Sequence, residues 1–226
     1  MTGKTLRQAR KSLGLTQVEV ADQLGVSQSL LSQMEKGSRA ITRQASEKAV
    51  KYLHAAPEEL PVSPEVRHND DQLAADLGSL GYPGYSYLHS NMRNPAEVLF
   101  DALDRSDLDV RVVEALPWVV LRYPEMDWDW LTAKAKLNDR QNRLGFVVAL
   151  AANVAKGQRS KRNVAKHLHG VLKPIEEGRL AKNDTLCQES WPPSQRRFAR
   201  KQRSPLAAHW KLDTRLTEND LAYATT

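Results

Sequence analysis

A chain of 226 residues, 41% of them hydrophobic, is long and apolar enough for one or two globular domains. Its lone cysteine, Cys187, excludes an intrachain disulfide and a cysteine-based zinc site, and its longest apolar run, residues 146–152, is far too short to cross a bilayer. The net charge of +6 is segregated: residues 1–56 carry nine basic against four acidic side chains, residues 57–156 ten against sixteen, and residues 157–226 fourteen against seven.

Two basic blocks around an acidic middle suggest two surfaces that can meet phosphates. For the second block, a solvated and weakly ordered tail is an equally good account. No apolar leader opens the chain, so a cytoplasmic location without membrane contact is expected.

Residues 4–13 read as a first helix with Leu6, Ala9 and Leu13 inward and Lys4, Arg7, Arg10 and Lys11 outward, closed by Gly14. Thr16 caps the next helix, and Glu19 three residues on completes a capping box. In this second helix Val20, Ala21 and Leu24 make one apolar face. Ala21 is small enough for a crossing helix, and Gly25 can take the positive φ of the tight turn that follows. Ser27 caps a third helix whose inward side is Leu30, Leu31 and Met34 and which ends at Gly37. Two short helices joined this way form a helix-turn-helix, whose second helix enters the major groove of DNA. Thr42 caps a fourth helix with Ala45, Ala49, Val50 and Leu53 inward, and residues 57–60 can add one more turn.

Pro57, Pro61 and Pro64 mark a linker over residues 61–68, separating a DNA-binding domain (1–60) from a helical dimerisation or partner domain (69–178). Leu73, Leu77 and Leu80 pattern a helix over 69–80. Tyr82, Tyr85 and Tyr87 follow in a turn-rich stretch, where they are expected to cover the core rather than to form a recognition surface. Asn94–Pro95 opens a helix bearing Val98, Leu99, Ala102 and Leu103. Residues 107–121 carry Pro117 as a kink or break, and Asp127 caps a helix with Trp128, Trp130, Leu131 and Leu137. Residues 138–155 and a basic helix over 160–173, ended by Pro174, complete an all-α body. Residues 179–226 read as a basic, partly irregular arm in which 205–212 can form one short helix burying Leu206 and Trp210.

Residues 5–54 resemble the DNA-binding domain of phage Cro and repressor proteins. The resemblance rests on Leu6, Arg10, Gly14, Thr16–Gln17, Ala21, Leu24 to Ser27, Leu31 to Glu35, Gly37 and Ile41. It implies a five-helix fold and a set of roles. Gln17 hydrogen-bonds a phosphate at the start of the first motif helix. Gln28, Ser29, Ser32 and Gln33 face base edges, and such a polar, uncharged face favours A·T pairs. Arg10, Ser27, Lys36, Ser38, Arg39 and Arg43 contact backbone phosphates, and Glu35 points back toward Arg10 as an ion pair. Residues 75–155 more loosely resemble the helical carboxy-terminal part of bacterial regulators encoded beside toxin–antitoxin or defence genes.

No constellation for chemistry emerges. The phosphate-cradling glycine loop, the Gly-x-Ser-x-Gly elbow and His-Glu-x-x-His are all absent. His167 and His169, two apart on a helix, diverge instead of sharing a metal. Asp127 and Asp129 beside Trp128 and Trp130 read as caps and core. The chain lacks the Ala–Gly dipeptide of self-cleaving phage repressors. The expectation is therefore a non-enzymatic regulator without metal or cofactor, a homodimeric repressor on double-stranded DNA at an inverted-repeat operator of its own or a neighbouring promoter. The basic segments 159–166 and 196–203 would add phosphate contacts. The alternative is an antitoxin that binds its operator through residues 1–60 and neutralises a cognate toxin through the rest.

Overall fold

A computed structural model describes residues 1–62 and 70–223. The expected linker over 61–68 therefore lies largely outside the described residues. The chain divides into two compact units, one within Met1–Glu65 joined by Met92–Asn94, the other within Val66–Asn91 and Pro95–Thr226. The described residues are all-α, with twelve α-helices and two strands of two residues each.

The first unit holds α1 (Gly3–Ser12), α2 (Gln17–Leu24), α3 (Gln28–Lys36) and α4 (Arg43–Leu53). The expected extra turn is a single 3₁₀ turn, Pro57–Glu59. Each start is set by a side-chain cap. Thr16 and Glu19 close a reciprocal capping box on α2, Ser27 accepts from the Leu30 N–H, and Thr42 accepts from the Ala45 N–H. Gly25 ends α2 at φ 70°, ψ 41°, the left-handed geometry that turns the chain into α3. Leu6, Val20, Ala21, Leu24, Leu31, Met34, Ala49 and Leu53 form the core of this unit. Leu13, expected inside, is 42% exposed because it is the terminal cap of α1 and has already left the buried face. Asn94 returns to this unit, its side-chain amide donating to the Glu58 and Leu60 carbonyls at 3.1 and 2.7 Å.

The second unit contains α5 (Asp70–Ser79), α6 (Pro95–Leu103), α7 (Val110–Arg122), α8 (Trp128–Leu137), α9 (Gln141–Gly157) and α10 (Arg162–Glu177). Beyond them lie β1 (Asp184–Thr185), α11 (Pro193–Gln202), α12 (Pro205–His209) and β2 (Leu212–Asp213). Helix α9 is the axis. It is buried around nearly its whole circumference, and α7, α8, α10 and α12 pack on it. Tyr82 and Tyr85 are buried, Tyr82 meeting Trp118 and Tyr223 edge-on at 5.3 Å, while Tyr87 is exposed. Two of the three tyrosines therefore cover the core as expected.

Helix α7 runs through Pro117 without ending. Helix α10 likewise continues past Pro174 to Glu177, against expectation. That proline sits in the last turn, where only one ladder hydrogen bond is forgone. Leu137, expected inside, is 78% exposed at the end of α8.

Residues 179–223 are more ordered than an irregular arm. Pro193 and Pro205 occupy first-turn positions of α11 and α12, Ser204 caps α12, and β1 pairs with β2 in parallel. Trp210, 2% exposed, lies directly on Gly145 of α9, where an added Cβ would come within 2.2 Å of the indole ring. Arg143 fastens the same region. Its side chain is fully buried and donates from Nε and Nη2 to both Asp184 carboxylate oxygens (2.7 and 3.0 Å) and from Nη2 to Glu189 (2.7 Å). Its Nη1 donates to the Leu103 and Arg105 carbonyls. Beside it the Cys187 thiol is pushed up to about 11, mainly by burial, and so stays protonated.

Removing one member of a buried, hydrogen-bonded ion cluster leaves the others desolvated and unpaired. Arg143→Leu is expected to destabilise the second unit by about 3 kcal/mol, because Asp184 and Glu189 regain only part of their hydration. Calorimetry should show a fall in its melting temperature of about 10 °C. A shift within 1 °C would mean that Arg143 carries no such role.

Candidate nucleic-acid interface

In the first unit the orientation of α3 is fixed by Glu35. This residue is 7% exposed, although it stands in the last turn of a helix whose next residues are open to solvent. Arg10 of α1 grips it side-on, Nε to Oε1 at 2.6 Å and Nη2 to Oε2 at 3.0 Å, and also donates from Nη1 to the Leu15 carbonyl at 2.9 Å. Gln17 of α2 donates from Nε2 to Glu35 Oε2 at 2.9 Å. One carboxylate thus ties three helices together. Burial alone would push the Glu35 carboxyl up. The hydrogen bonds from Arg10 and Gln17, with the charges of Arg10 and Arg7, outweigh it and hold the group below its ordinary value. Lys48 of α4 adds a fourth tie, its Nζ donating to the Leu24 carbonyl at the end of α2, 2.8 Å away.

With α3 held this way, Leu31, Met34 and Glu35 face inward, Ser32 is half-buried, and Gln28, Ser29 and Gln33 are exposed on the opposite side. The Ser29 hydroxyl lies 3.0 Å from that of Ser27, whose oxygen also caps the Leu30 N–H. The geometry leaves a strip of amide and hydroxyl groups projecting from a rigid helix. Such groups can donate to and accept from base edges, with Gln able to span N6 and N7 of adenine.

The expected phosphate contacts divide into two sets. Lys36 and Arg39 are exposed, and Arg43 shares an exposed i,i+4 pair with Glu47 that opens at little expense. These three cations are open to solvent. Arg10 gives its guanidinium to Glu35 and Leu15 and so supports the frame. The Ser38 hydroxyl donates to the Gln33 carbonyl and closes the end of α3. Ser27 serves first as the cap of α3. Gln17 gives one of its two side-chain N–H groups to Glu35, which leaves the other, and its backbone N–H at the first position of α2, able to meet a phosphate. The ties through Gln17 and Lys48 were not expected from sequence. A Lys in the middle of a helix carries no local sign of which carbonyl it will reach.

Among the described residues, no group of three or more His, Cys, Asp or Glu could hold a metal, and no helix is long and apolar enough to cross a membrane. His167 and His169 diverge, their ring nitrogens bonded to the Pro124 and Ala165 carbonyls.

A carboxyl held low in the folded state contributes stability that is complete above its unfolded value of 4.5 and is lost as pH falls through the folded value. Glu19, held down by the Thr16 backbone N–H and hydroxyl, acts in the same direction. Amide exchange in α1 to α3, measured relative to its intrinsic rate at each pH, should therefore accelerate below about pH 4.5. Glu35→Gln should speed it at pH 7 by an amount corresponding to about 2 kcal/mol, the loss of charge-assisted hydrogen bonds. Exchange in these helices that ignores both changes would contradict the assigned tie.

Residues 3–62 match the family of helix-turn-helix domains, a span that takes in α1 to α4 and the 3₁₀ turn. No curated protein and no solved structure is significantly similar to the chain. With caps, turn and exposed strip in place, residues 3–62 form a helix-turn-helix DNA-binding domain.

Proposed function

We propose that the protein is a sequence-specific transcriptional regulator that reads DNA through Gln28, Ser29, Ser32 and Gln33 of α3. In this reading Lys36, Arg39 and Arg43 hold the phosphates on either side. The observation that carries the proposal is the contrast between the two faces of α3. One face is locked by Glu35 into the frame. The other presents Gln28 and Gln33 exposed to solvent on the second helix of a helix-turn-helix domain, the helix that enters the major groove in such motifs.

One domain of this size makes too few base contacts for tight specific binding, so the working form is a homodimer. Its operator is an inverted repeat at its own or a neighbouring promoter, where occupancy represses transcription. The Cro and repressor proteins that residues 5–54 resemble work in this manner. The second unit supplies the pairing surface.

A second reading, an antitoxin, is favoured by one observation: residues 57–156 carry sixteen acidic against ten basic side chains, a surface suited to a basic toxin. A basic protein from a neighbouring gene that co-purifies at fixed stoichiometry would support it. The repressor reading expects operator binding by the protein alone.

Replacing both Gln28 and Gln33 by Ala should abolish the footprint on the upstream region of the gene while far-UV circular dichroism stays unchanged. Arg39→Ala should instead weaken specific and random DNA by the same factor and lower the salt dependence by about one phosphate contact. An unaltered footprint in the double variant would overturn the assigned reading strip.

A further inference from the structure

The two basic segments of the carboxy-terminal third differ in what their charges do. In residues 196–203 most of the guanidinium groups are consumed internally. Arg196 donates to the Glu189 and Trp191 carbonyls. Arg200 forks onto the buried carboxylate of Asp213 at 2.9 and 2.7 Å, and Arg203 reaches the same carboxylate at 3.3 Å. Arg196 thus fastens the start of α11 to the segment before it, while Arg200 and Arg203 hold its end onto β2, so these three side chains are not a polyanion site.

Helix α10 is the opposite case. Arg162, Lys166, His169 and Lys173 follow one another at spacings of four, three and four, which places them within one narrow stripe of a 3.6-residue helix. All four are exposed, while Ala165, Leu168 and Ile175 turn inward. Arg162, Lys166 and Lys173 make no ion pair within the described residues. His169 uses Nδ1 on the Ala165 carbonyl and leaves Nε2 outward. Arg159, exposed in the preceding 3₁₀ turn, extends the charge at the amino-terminal end. Within α10 itself, acidic side chains stand only in the last turn. There Glu176 is bonded to Arg179 and His209, and Glu177 is exposed. The stripe from Arg162 to Lys173 spans about 16 Å at 1.5 Å per residue, the length of two to three successive phosphates on one strand.

Unpaired cations in a row, on a unit that is otherwise acidic through residue 156, do not stabilise the fold. Their mutual repulsion works against it. We infer that this stripe of α10 is a second, sequence-independent DNA site that grips the phosphate backbone. The inference rests on the DNA-binding reading of residues 3–62, and its occupant is duplex backbone, the polyanion already at hand when that domain is bound. Base discrimination belongs to α3. The stripe supplies affinity and salt dependence.

The test is the dependence of binding on salt for the full-length protein, on operator and on random duplex of equal length. The Arg162→Gln, Lys166→Gln, Lys173→Gln variant should lower the slope of log K against log salt by about two units on both duplexes, leaving the ratio of the two affinities unchanged. Arg162→Lys, which keeps the charge, should retain the wild-type slope. Because all three side chains are exposed and unpaired, the melting temperature of the variant should be no lower than that of the wild type. An unchanged slope would overturn the site while leaving the helix-turn-helix reading intact. Wild-type protein that binds no duplex at any salt would overturn both. Binding of wild type but not the variant to phosphatidylglycerol vesicles, with equal affinity of the two for DNA, would assign the stripe to a membrane surface instead.

Discussion

The interaction on which the DNA-binding unit depends is the buried carboxylate of Glu35. A helix of nine residues has no intrinsic stability in water, and α3 must in addition present a polar strip without bending toward it. Glu35 solves both by accepting a side-on fork from Arg10 and an amide N–H from Gln17, so α1 and α2 converge on a single pair of oxygens in α3. The apolar core of Leu6, Val20, Leu24, Leu31 and Met34 supplies most of the stabilisation but is non-directional. The fork is directional, and it fixes the rotation of α3 that decides which side chains face outward. A charge that would be costly if buried alone is affordable here because its partners are already in place.

The second unit uses the same device on a larger scale. Arg143 in α9 donates five hydrogen bonds to oxygen acceptors from a fully buried position, three of them to carboxylates that lie about forty residues further on. Trp210 against Gly145 makes the apolar counterpart two residues along the same helix. Together they explain why residues 179–223 are organised around α9 despite a composition that reads as a loose basic tail. In both units an arginine–carboxylate fork, Arg10 on Glu35 and Arg143 on Asp184, fixes separate elements against one helix.

Local features of both units were legible in the sequence. Thr16, Ser27 and Thr42 cap the helices they were expected to cap, and Gly25 takes the left-handed geometry of the motif turn. These are interactions within three or four residues, which sequence displays directly. Leu13 and Leu137 were misread because helical periodicity continues past the point where the helix leaves its neighbour. Signals for α11 and α12 were present in Pro193, Ser204 and Pro205, yet charge density outweighed them. The partners that neutralise that charge, Asp213 and the Glu189 and Trp191 carbonyls, become neighbours only in the folded chain. The same holds for the site. The outward strip of α3 followed from spacing, but the fate of Arg10 and Ser38 required knowing which acceptor each one reaches.

The central claim is that a rigid, polar face of α3 reads DNA in two copies. It is tested most directly by selection of binding sites from a random duplex library with the full-length protein. The expected result is an enriched inverted repeat whose half-sites are centred about 10 base pairs, or a whole number of turns, apart. Recovery of sequences with no shared motif, at an affinity no greater than for random duplex, would contradict it.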